Sequence, residues 1–121
     1  MSNSDAVVQT YIEMWNETDP ERRRKLVART VTEDAQYLDP IMAGAGIDGI
    51  STMIAGAQRQ FPDHRFALIS GPDAHHDRVR FSWALSADAG APVAVGVDFA
   101  TLSQDGRMGT IIGFLEPAGS S

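Results

Sequence analysis

The sequence predicts an α+β domain in which three N-terminal helices pack on a curved, mostly antiparallel sheet. Three observations carry this. Apolar residues recur three and four apart between Val7 and Phe61, and from His64 onward the period drops to two. The links in the second half are short and rich in glycine, proline and aspartate, as hairpins require. Amphipathic helices followed by hairpin-linked strands define the class, because a lone sheet must cover its apolar face and the helices are at hand to do it.

In the first helix Val7, Val8, Tyr11, Ile12 and Trp15 lie at helical spacing, Ser4 is placed to cap it, and Asn16 to Asp19 end it. Asp19-Pro20-Glu21 opens the second helix with a capping acid, a proline at the first helical position and an acid facing the dipole. Leu26, Val27, Thr30 and Val31 supply its buried side. Ala35 to Leu38 reads as a short strand stopped by Asp39-Pro40. The third helix follows the glycine-rich loop, buries Ile47, Ile50, Ile54, Ala57 and Phe61, and ends at Pro62. Strands are then expected at His64–Ser70, His76–Ala87, Val93–Leu102 and Arg107–Leu115.

The Val93–Leu102 strand is unusual. Val93, Val95, Val97 and Phe99 face one way, and Ala94, Gly96, Asp98, Ala100 and Leu102 the other. Both faces are apolar apart from Asp98, so the helices are expected over one and a second copy of the chain over the other, as a homodimer through the sheet. Gly96 and Ala100 flank Asp98 with almost no side chain. Strand interiors disfavour both glycine and aspartate, and a pocket beside the carboxyl group would explain both.

The 121 residues make one domain, 1–121, with the Ala-Gly-Ser-Ser tail at 118–121 expected to be disordered. Hydrophobic residues at 43% and charged residues at 21% fit a soluble globular protein, and no run approaches a membrane span. The net charge of −6 argues against nucleic acid as a partner. Five of the ten basic residues lie between Arg22 and Arg29, consecutive enough to fan around a helix as a solvated face. The absence of cysteine and of a secretory leader points to the cytoplasm. No cofactor is expected: Gly44-Ala45-Gly46 lacks the preceding strand and third glycine of a phosphate cradle, and no serine sits in a Gly-x-Ser-x-Gly turn.

Four pieces of the chain, in order and spacing, resemble the nuclear transport factor 2-like superfamily, and within it the SnoaL-like polyketide cyclases and ketosteroid isomerases. They are Tyr11-Ile12-Glu13 with Trp15-Asn16, the strand from Asp34-Ala35 to Asp39-Pro40, Gly46 opening the third helix, and Val97-Asp98-Phe99 followed by Asp105-Gly106-Arg107. The resemblance covers nearly the whole chain and implies a cone-shaped barrel. It implies a cofactor-free acid–base enzyme, of isomerase or cyclase type, for a small, largely apolar carbonyl compound. By position Asp39 falls where the isomerases keep their general base, Tyr11 where they keep the phenol of the oxyanion hole, and Asp98 where they keep a protonated carboxylic acid. Ile54 lies where those isomerases place a further tyrosine. Limonene epoxide hydrolases, of similar fold, carry an arginine where this chain has Gly96, so epoxide opening is the weaker reading.

Each candidate also has a plain structural role. Asp39 is suited to moving a proton at carbon beside an apolar wall, or to closing an Asp-Pro turn. Asp98 is suited to stabilising a developing enolate when protonated, or to a structural pair with Tyr11 or an arginine. Tyr11 lies on an apolar helical stripe and could serve packing alone. Trp15, Tyr37, Trp83 and Phe114 are expected to wall the pocket, with His64 as a ligand hydrogen-bonder. His64, one of His75 and His76, and Asp39 could meet across a hairpin, but they lack any recognised ligand spacing and no metal is expected. The alternative from another class is a non-catalytic binding or dimerisation module of the same fold.

Overall fold

The structure is a computed structural model that describes residues 3–87 and 90–116, so the expectation for the tail at 118–121 lies outside the described residues. Three helices, α1 (Asn3–Asn16), α2 (Pro20–Thr30) and α3 (Gly46–Gln60), pack on one face of a six-stranded sheet. The strands are β1 (Val31–Leu38), β2 (Ala43–Ala45), β3 (His64–His75), β4 (Arg78–Ala87), β5 (Pro92–Leu102) and β6 (Met108–Glu116), in the order β2-β1-β6-β5-β4-β3. The sheet curves without closing. All neighbours are antiparallel except β1 and β6, which run parallel.

The local signals explain most boundaries. Asp19 caps α2 by accepting the Arg22 amide at 2.9 Å, with Pro20 in the first turn. α1 is already helical at Asn3, so Ser4 lies inside its first turn rather than capping it. β1 starts directly at Val31, with no loop after α2, and β2 is a three-residue strand formed by the glycine-rich loop. β3 continues past Ser70 because Gly71 is accommodated as an irregularity in the register; its φ of +97° suits glycine, and a Cβ there would lie 3.0 Å from the Arg80 carbonyl.

One polar joint locks α1 to the sheet and a second ties the three helices to one another. The Asn16 side chain donates to the Phe66 carbonyl and accepts the Phe66 amide, both at 2.8 Å. Gln58 of α3 donates to the Trp15 and Glu17 carbonyls and accepts from Arg23. Arg23 also donates to the Glu17 carbonyl and is buried. The basic run is therefore not wholly a solvated face: one of its cations is drawn inward, where its charge suits the carbonyl end of α1.

Candidate functional site

The site grows from the inward face of β5. Register places Asp98 between Phe81 of β4 and Gly113 of β6, with its carboxyl group under the helices and only 2% exposed. Trp83 Nε1 donates to Oδ1 at 3.0 Å and the Tyr11 hydroxyl donates to Oδ2 at 2.7 Å. The apolar stripe of α1 aims Tyr11 there, with edge contacts to Trp15 and Phe81. Burial pushes the Asp98 carboxyl up, the bonds from Trp83 and Tyr11 pull it back, and the charge of Asp39 raises it again, leaving it at about 6. Burial, and then the Asp98 charge, hold the Tyr11 phenol well above its ordinary value.

Asp39 follows β1 and does two things at once. Its Oδ1 accepts the Ile41 and Met42 amides, each at 2.9 Å, which closes the turn. Its Oδ2 accepts the Tyr37 hydroxyl at 2.5 Å. Tyr37 is buried and its phenol is also raised, by burial first and then by Asp98 and by its bond to Asp39; it interacts with Tyr11 as well. The second phenol beside Tyr11 thus comes from β1, while Ile54 of α3 is fully buried apolar core. Gly113 makes the gathering possible. A Cβ there would lie 2.8 Å from Asp98 Oδ1, 3.2 Å from Asp39 Cβ and 3.5 Å from the Tyr37 oxygen.

Reading Tyr37 only as a wall aromatic missed its polar role, and Gly113 was missed altogether. Both had signals. A period of two counted back from Asp39 puts Tyr37 on the same face, and a glycine in a strand interior marks a close approach.

Tyr11, Trp15, Tyr37, Asp39, Trp83 and Asp98 all border one apolar hollow, together with Met42, Phe66 and Leu115. Its free volume is about 70 Å³, well below the few hundred of a drug-sized site. The space expected beside Asp98 is not empty, because the indole of Trp83 lies in the notch that Gly96 leaves. The ring nitrogen of Trp15 is buried without a hydrogen-bond partner, though it lies beside the Tyr11 oxygen.

Three expectations are corrected. Phe114 does not wall the hollow: it points to the opposite face of the sheet, is 54% exposed and packs on Phe99, because strand alternation gives the inward place to Leu115. His64 borders a neighbouring hollow of about 240 Å³, which shares Trp15, Phe61, Phe66 and Leu85 with the first. It cannot approach His75 or His76, since His64 and His75 stand at opposite ends of β3. On β4, the strand next to Gly96, Arg78 and Arg80 are both exposed, and Arg80 pairs with Asp73, so neither stands in for the arginine that the epoxide hydrolases carry at the Gly96 position. Among the described residues no group of three or more His, Asp or Glu is placed to hold a metal ion.

Residues 8–109 match the SnoaL-like domain model. The chain belongs to the SnoaL-like family. It is similar to an isomerase candidate of the SnoaL-like family from Agrobacterium tumefaciens strain C58, at 43% identity over 96% of this chain and 99% of that one, with a TM-score of 0.90. A candidate SnoaL-like polyketide cyclase from Jannaschia sp. CCS1 shares the fold at 18% identity, over 91% and 85% of the two chains, with a TM-score of 0.68. So does a de novo designed protein with a curved β-sheet, at 15% identity, over 97% and 89%, with a TM-score of 0.72. No curated protein matches the chain.

Proposed function

We propose that this SnoaL-like protein is a cofactor-free acid–base enzyme, of isomerase or cyclase type, for a small and largely apolar carbonyl compound. One observation carries the reading: two carboxylates, each hydrogen-bonded by a phenol, border the same apolar hollow. Asp39 takes a proton from the carbon next to the carbonyl and returns it to a neighbouring atom. Tyr11 and Asp98 stabilise the oxygen on which charge develops.

The proton count sets the working form of Asp98. Ionised, it accepts from both Trp83 and Tyr11, and the single Tyr11 proton is spent on it. Protonated, it becomes a donor and releases the Tyr11 hydroxyl toward substrate. A carboxyl group poised at about 6 reaches that form at small cost near neutrality.

The test is a thermal-shift screen of ketones, lactones, epoxides and polyketide-like aromatics on the native protein and on Asp39→Asn. A carbonyl ligand that stabilises only the native protein, and is turned over only by it, supports the reading. Equal stabilisation of both proteins without turnover favours the second reading, a non-catalytic binding or dimerisation module, for which the exposed apolar outer face of the sheet speaks.

We further propose a homodimer through the outer face of the sheet, where Val93, Phe99, Ile112 and Phe114 stand exposed. A cytoplasmic location accords with a chain that has no cysteine to oxidise.

A further inference from the structure

We propose that the hollow beside His64 holds the ring of the substrate, whose carbonyl end alone enters the hollow of the two acids, and that His64 recognises a hydroxyl at the far end of that ring. The carbonyl end rests on the acid–base reading above; the subsite adds the rest of the molecule. The first hollow offers about 70 Å³, room for a carbonyl group and little more, and the second about 240 Å³. They are neighbours, because Trp15, Ala57, Phe61, Phe66 and Leu85 border both. Trp15 and Phe66 meet in this partition with ring centroids 5.1 Å apart. Ala57 gives it only a methyl group, and Phe61, half-buried at the end of α3, is freer to turn aside than the buried Trp15 and Leu85. Trp15 also packs against Tyr11, and its buried indole N–H has no hydrogen-bond partner. That donor is available to a ligand oxygen reaching Tyr11 from the second hollow.

The polar groups around the second hollow are not equally free. Asn16 spends both ends of its amide on Phe66, and Gln58 is taken up by Trp15, Glu17 and Arg23. His64 is different. Its Nδ1 lies 2.8 Å from the Pro62 carbonyl, which can only accept, so the neutral ring carries its proton on Nδ1 and keeps Nε2 as an acceptor. An edge contact with Phe61, ring centroids 5.8 Å apart, holds the imidazole at the border of the hollow. The carboxylate of Asp63, exposed on the same turn, is a second acceptor there, and no arginine or lysine among the described residues borders the space. Such a border selects a donor. A neutral hydroxyl satisfies it, an ether oxygen offers His64 nothing, and a carboxylate is repelled by Asp63. The substrate class is therefore an enolisable ketone whose ring bears a hydroxyl remote from the carbonyl.

The probes are 4-(4-hydroxyphenyl)butan-2-one, its methyl ether, and the analogue with a carboxylate in place of the hydroxyl. Each puts a slim methyl ketone on a two-carbon arm. In titration calorimetry at pH 8 the phenol should bind the native protein about three- to tenfold more tightly than the ether, as one hydrogen bond to a neutral acceptor provides, and the carboxylate should bind most weakly. In ¹⁵N-labelled protein the His64 Nε2 signal should move with the phenol and stay with the ether, a measurement that needs no variant. His64→Phe, which keeps a ring against Phe61, should bind phenol and ether alike. Equal native affinity for phenol and ether, tighter binding of the carboxylate than of the phenol, a phenol preference that survives His64→Phe, an unmoved His64 signal, or failure of all three ketones to bind overturns the subsite. Deuterium exchange beside the ketone in D₂O reports separately on the acid–base reading. Phenol preference without exchange supports the subsite and removes that reading, and exchange without phenol preference removes the subsite alone.

Discussion

The indole of Trp83 lies flat in the notch of Gly96, its partner across the β4–β5 ladder. A Cβ on Gly96 would sit 2.7 Å from Trp83 Cε2 and 2.9 Å from the Phe114 carbonyl, so neither side has room to yield. The same indole donates to Asp98. Gly96→Ala should therefore lift Trp83 off the carboxylate and destabilise the protein by about 1–3 kcal/mol. Urea denaturation measures the loss, and a changed Trp83 indole N–H shift in the folded variant shows the broken bond.

Asp98 makes stability fall as pH rises. Its carboxyl holds a proton up to about 6 in the folded chain, against an ordinary 3.8, so the native state binds more protons than the unfolded one between those values. The contribution is whole below pH 4 and is lost by pH 6 to 7, an effect of about 3 kcal/mol. Asp98→Asn should flatten that slope in chemical denaturation followed from pH 4 to pH 7. Glu17, half-buried, and Asp105, exposed, are both lowered by hydrogen bonds and neighbouring arginines and act with the opposite sign at lower pH.

Tyr11→Phe removes the only donor to Asp98 Oδ2 among the described residues. The carboxyl should then hold its proton to still higher pH, read from the Trp83 indole. On any carbonyl substrate identified by the ligand screen, kcat should drop about 10²–10³-fold. Unchanged turnover would remove Tyr11 from the machinery and leave it a packing residue.

The outer face of the sheet is tested by charge. In light scattering at micromolar concentration the native chain should run at twice 13.1 kDa, and a double variant, Ile112→Glu with Phe114→Glu, at the mass of one chain. Both side chains are exposed in the single chain, so the substitutions should leave the thermal unfolding of the monomer nearly unchanged.

Most of the fold was legible in periodicity. The three helices follow from the apolar stripes and from Asp19-Pro20, and the hairpins from the turn residues, because both are local consequences of side-chain spacing. β2 was not legible: Ala43–Ala45 has no alternating pattern, and it pairs only because β1 offers an open edge. The parallel pairing of β1 with β6 is likewise a matter of topology, joining segments more than seventy residues apart that no short window can relate.

The site was half legible. Asp98 stood out as an acid in an apolar strand. The bond between Tyr37 and Asp39 could have been found by counting two residues back. The filling of the Gly96 notch could not, since it depends on which rotamer Trp83 adopts once the strands are in register. Phe114 was misplaced although alternation from Gly113 and Leu115 already gave its direction.

The clasp between Asn16 and Phe66 reaches beyond the helix it anchors. Along β3, whose free border would otherwise offer hydrogen bonds to any passing extended segment, the amide of Asn16 stands in for a seventh ribbon and occupies both main-chain groups of Phe66, while Leu85 of β4 lies opposite on the other side. Lateral growth of the sheet into a continuous stack is blocked at that position.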